Sequence, residues 1–100
     1  MPSTSETFFS GIVATKTDTT AINIRPYGAV ALTVVGTGSA VATAEVYGVD
    51  GGGNNVLLET LTFTVADEQG LNLTWVGYGE VNVHITAYTT GTFAAYLDAR

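Results

Sequence analysis

Residues 36–65 read GTGSAVATAEVYGVDGGGNNVLLETLTFTV, and their pattern decides the fold class. Ala42, Ala44 and Val46 fall at every second position, with Thr43, Glu45 and Tyr47 between them. Leu61, Phe63 and Val65 alternate in the same way with Thr62 and Thr64. Successive side chains of an extended chain point to opposite faces, so a period of two marks strands with one apolar and one wetter face. Between the two runs, Asp50-Gly51-Gly52-Gly53-Asn54-Asn55 offers residue types that tolerate the backbone angles of a chain reversal.

The design recurs on both sides. Upstream, strands are expected over residues 8–15, 21–25 and 29–35, separated by the polar turn Lys16-Thr17-Asp18-Thr19-Thr20 and by Pro26-Tyr27-Gly28. The strand over 29–35 has apolar residues in both phases, as expected of a central strand. Downstream, residues 66–70 (ADEQG) read as a turn, and Leu71, Leu73 and Trp75 alternate with Asn72 and Thr74. Trp75 is expected to plug one end of the core. Val81, Val83, Ile85 and Ala87 form the clearest alternation, Thr89-Thr90-Gly91 reads as a reversal, and Phe93, Ala95 and Leu97 close the pattern.

No segment holds a 3.6-residue period. The expectation is an all-β single domain: a two-sheet β-sandwich of about eight short antiparallel strands, jelly-roll-like, with an immunoglobulin-like order as the alternative. Residues 1–11 are read as an N-terminal arm and residues 12–100 as the sandwich domain. Phe8 and Phe9 interrupt the polar arm. Either one ring caps the core, or the pair anchors the arm in an adjacent subunit.

The chain has 100 residues, enough for one domain. Charged residues are 12% of it, about half the usual share. Thr, Ser, Asn and Gly therefore cover the surface, a composition suited to lasting contact with other proteins. Nine acids stand against Lys16, Arg25 and Arg100, for a net charge of −6. Nucleic-acid binding relies on clustered cations that displace phosphate counterions, so neither DNA nor RNA is an expected partner. Anionic membranes are excluded on the same ground. The chain lacks cysteine, the N-terminus has no basic region followed by an apolar run, and no stretch approaches the roughly 20 apolar residues of a membrane span. Cytosolic folding is expected.

Reactive constellations do not stand out. His84 is the sole histidine, and a zinc site would need several carboxylates from elsewhere. Asp50, Asp67 and Glu68 belong to turns and lack the spaced oxygen ligands of a calcium loop. Gly36-Thr37-Gly38-Ser39 has no Gly-Lys-Ser/Thr ending and leads into a strand, so it is not a phosphate loop. Ser39 has no nucleophile-elbow frame. Asn72-Leu73-Thr74 fits a glycosylation sequon by its letters only. No enzymatic activity, cofactor or metal is expected. Tyr27, Tyr47, Tyr78 and Tyr96, with Phe8 and Phe9, are the candidate interface residues, since aromatic side chains are enriched at protein contacts. These tyrosines, with Tyr88, also suit a sugar-stacking platform, which keeps a carbohydrate-binding module open.

The run quoted above, followed by the Trp75 strand and by YGEVNVHITAYTTGTFAAYLDA, resembles small virion proteins of tailed bacteriophages, in particular capsid decoration or cement proteins with a jelly-roll-like sandwich. The resemblance covers roughly residues 30–99 and lies in the strand rhythm. This chain departs from it in having fewer charges and a bare Gly51-Gly52-Gly53 turn. The resemblance implies a structural protein, made in the host bacterial cytoplasm and placed on the outer capsid surface. Its implied partners are the major capsid protein and further copies of itself, as a dimer or trimer. Phage tail or adaptor proteins share the rhythm and are the alternative.

Overall fold

The computed structural model describes residues 3–73 and 77–100. The chain folds as an all-β single domain whose six strands belong to one open antiparallel sheet. The strands are β1 (Thr4–Ile12), β2 (Ile22–Asn23), β3 (Val30–Val49), β4 (Asn55–Phe63), β5 (Asp67–Asn72) and β6 (Glu80–Ala99). The main path runs β1-β6-β3-β4, with β2 beside β6 and β5 beside β3.

The long strands β3 and β6 pair with each other from Val30↔Ala99 to Val49↔Glu80 and form the centre of the sheet. Each is 20 residues long. Laid straight, such a strand would span about 65 Å, yet the longest dimension of the molecule is 37 Å. Both strands therefore bend. The register between them slips between Thr37 and Val41 and again between Val41 and Thr43. Positive φ angles occur there at Gly38 (72°), Ala87 (48°) and Gly91 (99°).

Ring contacts measure the depth of the fold. Phe93 stands opposite Gly36, and Phe63 opposite Ala42. Along a straight strand those positions lie about 20 Å apart. The two rings are instead 5.3 Å apart, edge to face. The sheet thus closes its apolar face on itself, and one core results: Val30, Leu32 and Val34 with Phe93, Ala95 and Leu97 from one side of the bend, and Ala42, Ala44 and Val46 with Val81, Val83 and Ile85 from the other. Gly36 leaves room for this closure. A Cβ there would lie 2.8 Å from the Ala40 Cβ and 2.9 Å from the Phe93 ring.

The inward phase is as expected at Val30, Leu32 and Val34, at Ala42, Ala44 and Val46, at Val81, Val83 and Ile85, and at Phe93, Ala95 and Leu97, whereas Ala87, at the end of its run, is exposed. The strand count is not as expected. The expected strand 29–35 and the alternating run at residues 42–47 are one strand, β3, and the two runs expected from Val81 onward are β6, so the Gly-rich and Thr-rich stretches between them bend a strand and do not reverse it. Residues 67–70, read as a turn, open β5. The strand expected at 21–25 shrinks to Ile22–Asn23, and the first strand begins at Thr4, so the boundary drawn at residue 11 falls inside β1. Strand 29–35 is central by pairing, but only its even-numbered face is buried. Val65 is exposed. Trp75 lies outside the described residues.

Two edge turns cross from one side of the bend to the other. Residues 13–15 link Ile12, opposite Phe93, to Lys16, whose backbone exchanges hydrogen bonds of 3.0 and 2.8 Å with Ile85. Residues 64–66 link Phe63, opposite Ala42, to Asp67, opposite Gly36.

Candidate interaction surface

The six candidate aromatic residues do not share a face. Phe9, on the inner face of β1 opposite Ala95, is 5% exposed and belongs to the core. Phe8 occupies the register slip between Thr7 and Phe9 and is half-buried against the core. With Tyr27, also half-buried, it lines a groove of about 670 Å³ whose other walls include Lys16, Asp18, Ile22 and Asn23. These are the two candidates that the fold brings together.

Tyr47 sits on the outer face of β3, its ring 4.8 Å from that of His84 on β6. Burial, and then the hydrogen bond and charge of Glu45, raise its phenol above the usual value of 10.0. Tyr78 covers Gly48, where any Cβ would run into the Tyr78 ring, so this tyrosine caps the inner face. Tyr96, on the outer face of β6 between Thr7 and Thr33, is 38% exposed. Tyr88 packs on Phe93 with a centroid distance of 6.1 Å and donates a hydrogen bond of 2.7 Å to the Gly91 carbonyl.

His84 is half-buried. Burial lowers its pKa from 6.5, against the opposing pull of Glu45 and Asp18. Asp18 accepts from Lys16 at 2.8 Å, and that hydrogen bond holds its carboxyl below the usual value. At the end of the sheet remote from the bend, Arg25 faces Glu80 at 3.7 Å. The Asp50 carboxylate accepts from the Gly52 and Asn54 amides, both at 2.9 Å, which ties the glycine turn and lowers its pKa. Among the described residues, no group of three His, Cys, Asp or Glu side chains is placed to hold a metal ion.

One polar residue with a structural role escaped the sequence pattern. Asn82, in the outward phase of β6, is buried. Its side-chain amide donates to the Thr19 carbonyl at 3.2 Å, and its carbonyl oxygen lies 2.6 Å from the Thr19 hydroxyl, so it clamps residues 16–20 to the sheet. Only the polar run that follows Lys16 hinted at such a partner.

On the exposed outer face beside Tyr96 charge is sparse, and the row nearer the bend, Ala94, Val35, Glu68, ends in an exposed acid. One cross-strand row reads Thr7, Tyr96, Thr33, Gly70, and the next reads Ser5, Asp98, Ala31, Asn72. Ser5 donates to Asp98 at 2.7 Å, so the one charge in these two rows is already partnered. Such a surface offers hydroxyls, amides and small apolar groups, a chemistry suited to contacts made by area and hydrogen bonding.

No family model matches the chain, and no curated protein matches it. Among solved structures, the crystal structure of the SPBc2 prophage-derived protein YomS is similar, with a TM-score of 0.70 over 99% of this chain and 94% of that one, at 14% sequence identity. At that identity the likeness is one of fold, and it extends over nearly the whole of both chains.

Proposed function

We propose that the chain is a non-enzymatic structural protein of a phage virion, a decoration or cement protein that binds the outer surface of an assembled shell and stabilises contacts between subunits of the major capsid protein. The observation that carries this reading is the end-to-end likeness of fold to a prophage-derived protein. The outer face around Tyr96, rich in hydroxyls and small side chains, supports it, because many weak contacts over a large area suit permanent attachment to a repetitive partner. On this reading the folded sheet is a variant of the jelly-roll-like sandwich, in which β3 and β6 each serve both layers. Residues 1–11 act as the arm: β1 forms an edge of the sheet, and Phe8 lies beside the Tyr27 groove where a neighbouring subunit can reach both.

Co-sedimentation with phage capsids lacking the protein tests the proposal. Saturable binding at a fixed ratio to capsid subunits is expected, and Tyr96→Asp is expected to weaken it. Absence of binding to such shells overturns the capsid assignment, and binding to isolated tails in its place would identify a tail or adaptor component.

A further inference from the structure

The turn between β3 and β4 carries the one step of the chain in which an aspartate or asparagine precedes glycine, Asp50-Gly51. The side chain of such a residue can be attacked by the backbone nitrogen of the next one, and a side chain on that next residue hinders the approach. Glycine has none, and it leaves the backbone free to reach the required geometry. Of the four aspartates and five asparagines, Asn23, Asn55, Asp67, Asn72, Asn82 and Asp98 lie in strands, where pairing fixes the backbone. Asp18 and Asn54 precede Thr19 and Asn55, whose side chains crowd the nitrogen. Asp50 alone combines a place outside the strands with a glycine after it. Gly51 is exposed, with nothing within 4 Å of the position that a Cβ would take.

The fold holds Asp50 through its backbone and its side chain together. Its Oδ1 accepts from the Gly52 and Asn54 amides, both at 2.9 Å. Its own amide donates to the Asn54 carbonyl at 3.0 Å, and its carbonyl accepts from the Gly53 amide at 3.0 Å. The Asn54 amide leads in holding the carboxyl below its usual pKa, and an ionised carboxylate resists nucleophilic attack. We propose that Asp50 is a modification site that converts spontaneously to isoaspartate, and that the hydrogen-bonded turn confines the conversion to molecules in which this end of the hairpin has opened. In the opened turn the Gly51 nitrogen attacks Cγ of the protonated carboxyl. The N–Cγ bond forms, a Cγ–O bond breaks, and the hydroxyl leaves with the amide proton as one water. The product is a five-membered succinimide. Water then adds to the former backbone carbonyl of Asp50, the bond from that carbon to the Gly51 nitrogen breaks, and a proton returns to the nitrogen. Nothing is oxidised or reduced, and the mass is unchanged. The backbone now passes through Cγ and is one atom longer, and the carbonyl that accepted from Gly53 has become a free carboxylate. The inference does not rest on the capsid reading.

Prolonged incubation of the full chain at neutral pH, folded and in urea, tests it. Peptide chromatography with electron-transfer fragmentation tells isoaspartate from aspartate at equal mass. In urea, isoaspartate is expected to accumulate first at Asp50. In the folded chain it is expected at least about tenfold more slowly, because two charge-assisted hydrogen bonds must break before the attack. Gly53→Ala places a methyl group where φ is 81° and nothing lies within 4 Å, so it strains the turn and little else. It is expected to raise the folded-state rate by about fivefold or more and to leave the rate in urea unchanged. Gly51 is not among the glycines of positive φ, so Gly51→Val is expected to keep the folded spectrum and to abolish isoaspartate at Asp50 in both states. Accumulation in urea that begins at another residue, or that persists at Asp50 in Gly51→Val, overturns the site. Equal rates in the folded and unfolded chain, or a folded Gly53→Ala variant that reacts no faster than the parent, overturn the control by the turn.

Discussion

β3 and β6 run side by side and turn the same corner by different means. In β3 the corner joins one positive φ angle, at Gly38 (72°), to missing bulk: Gly36 and the small Ala40 and Ala42 lie beneath the Phe63 and Phe93 rings. In β6 it is built on backbone angles, with Ala87 at φ 48° and Gly91 at φ 99°. Gly91 is doubly constrained, since a Cβ there would also meet the Ala40 backbone. The difference separates two demands on a folded-over sheet. Both strands change direction through positive φ angles, and β3 in addition leaves the space into which the rings close.

The closure is where the largest effect is expected. Phe93→Ala removes a fully buried ring from the Phe63 and Tyr88 contacts and should cost about 3–5 kcal/mol. Against a typical total of about 5–15 kcal/mol, a urea midpoint that moved only slightly would show that the two sides of the bend hold together without the rings. Gly36→Ala tests the same closure from the other strand. The added methyl has neighbours at 2.8–3.1 Å and should cost about 1–3 kcal/mol by overpacking; the unfolding midpoint reports it. On β6 the sign reverses. Ala87 is exposed and holds a conformation unfavourable for a residue with a Cβ, so Ala87→Gly should stabilise by about 0.5–1 kcal/mol once the extra freedom of unfolded glycine is subtracted. A loss of stability on thermal unfolding would mean that the Ala87 methyl makes a contact worth more than its strain.

The smallest effect is electrostatic and lies away from the corner. The folded state lowers the His84 pKa below 6.5, so in the window just below that value the unfolded chain binds more protons than the folded one. The contribution is fully present above pH 6.5 and is lost as pH falls through the folded value. Denaturation between pH 7.5 and 5, an interval set around the ordinary histidine pKa of about 6.5, should show stability falling with acid, with a shallower slope in His84→Gln. Equal slopes would mean that His84 is as hydrated in the fold as out of it.

Much of the inner face was legible from the sequence. The alternations in residues 30–34, 42–46, 81–85 and 93–97 placed their apolar side chains inward because a period of two has one physical reading when a core must form. The corner was illegible for a related reason. Gly-Thr-Gly-Ser and Thr-Thr-Gly permit a hairpin and a strand bend equally well, and the choice between them depends on where β4, β5 and β1 pair, which local composition does not encode. β5 was hidden because Asp67, Glu68 and Gln69 are poor strand formers that still suit an exposed edge. At the candidate surface, composition pointed to aromatic residues without saying which would be exposed. Phe9 and Tyr78 turn inward because each meets a gap that only the tertiary fold creates, beside Ala95 and over Gly48.

The continuity of β3 and β6 across the bend also sets how the protein comes undone. A sandwich of separate strands can lose one sheet while the other survives, but here every residue pair from Val30↔Ala99 to Val49↔Glu80 belongs to the same two ribbons. Among the β3–β6 pairs, Val49 with Glu80 is nearest in sequence and closes the smallest loop, and sequence separation grows from there towards the corner and beyond it. Loop closure is then met early and rewarded late, which places the chain among slow, all-or-none folders. Amides of β3 on both sides of the corner should therefore exchange with solvent at one common rate, through global opening alone.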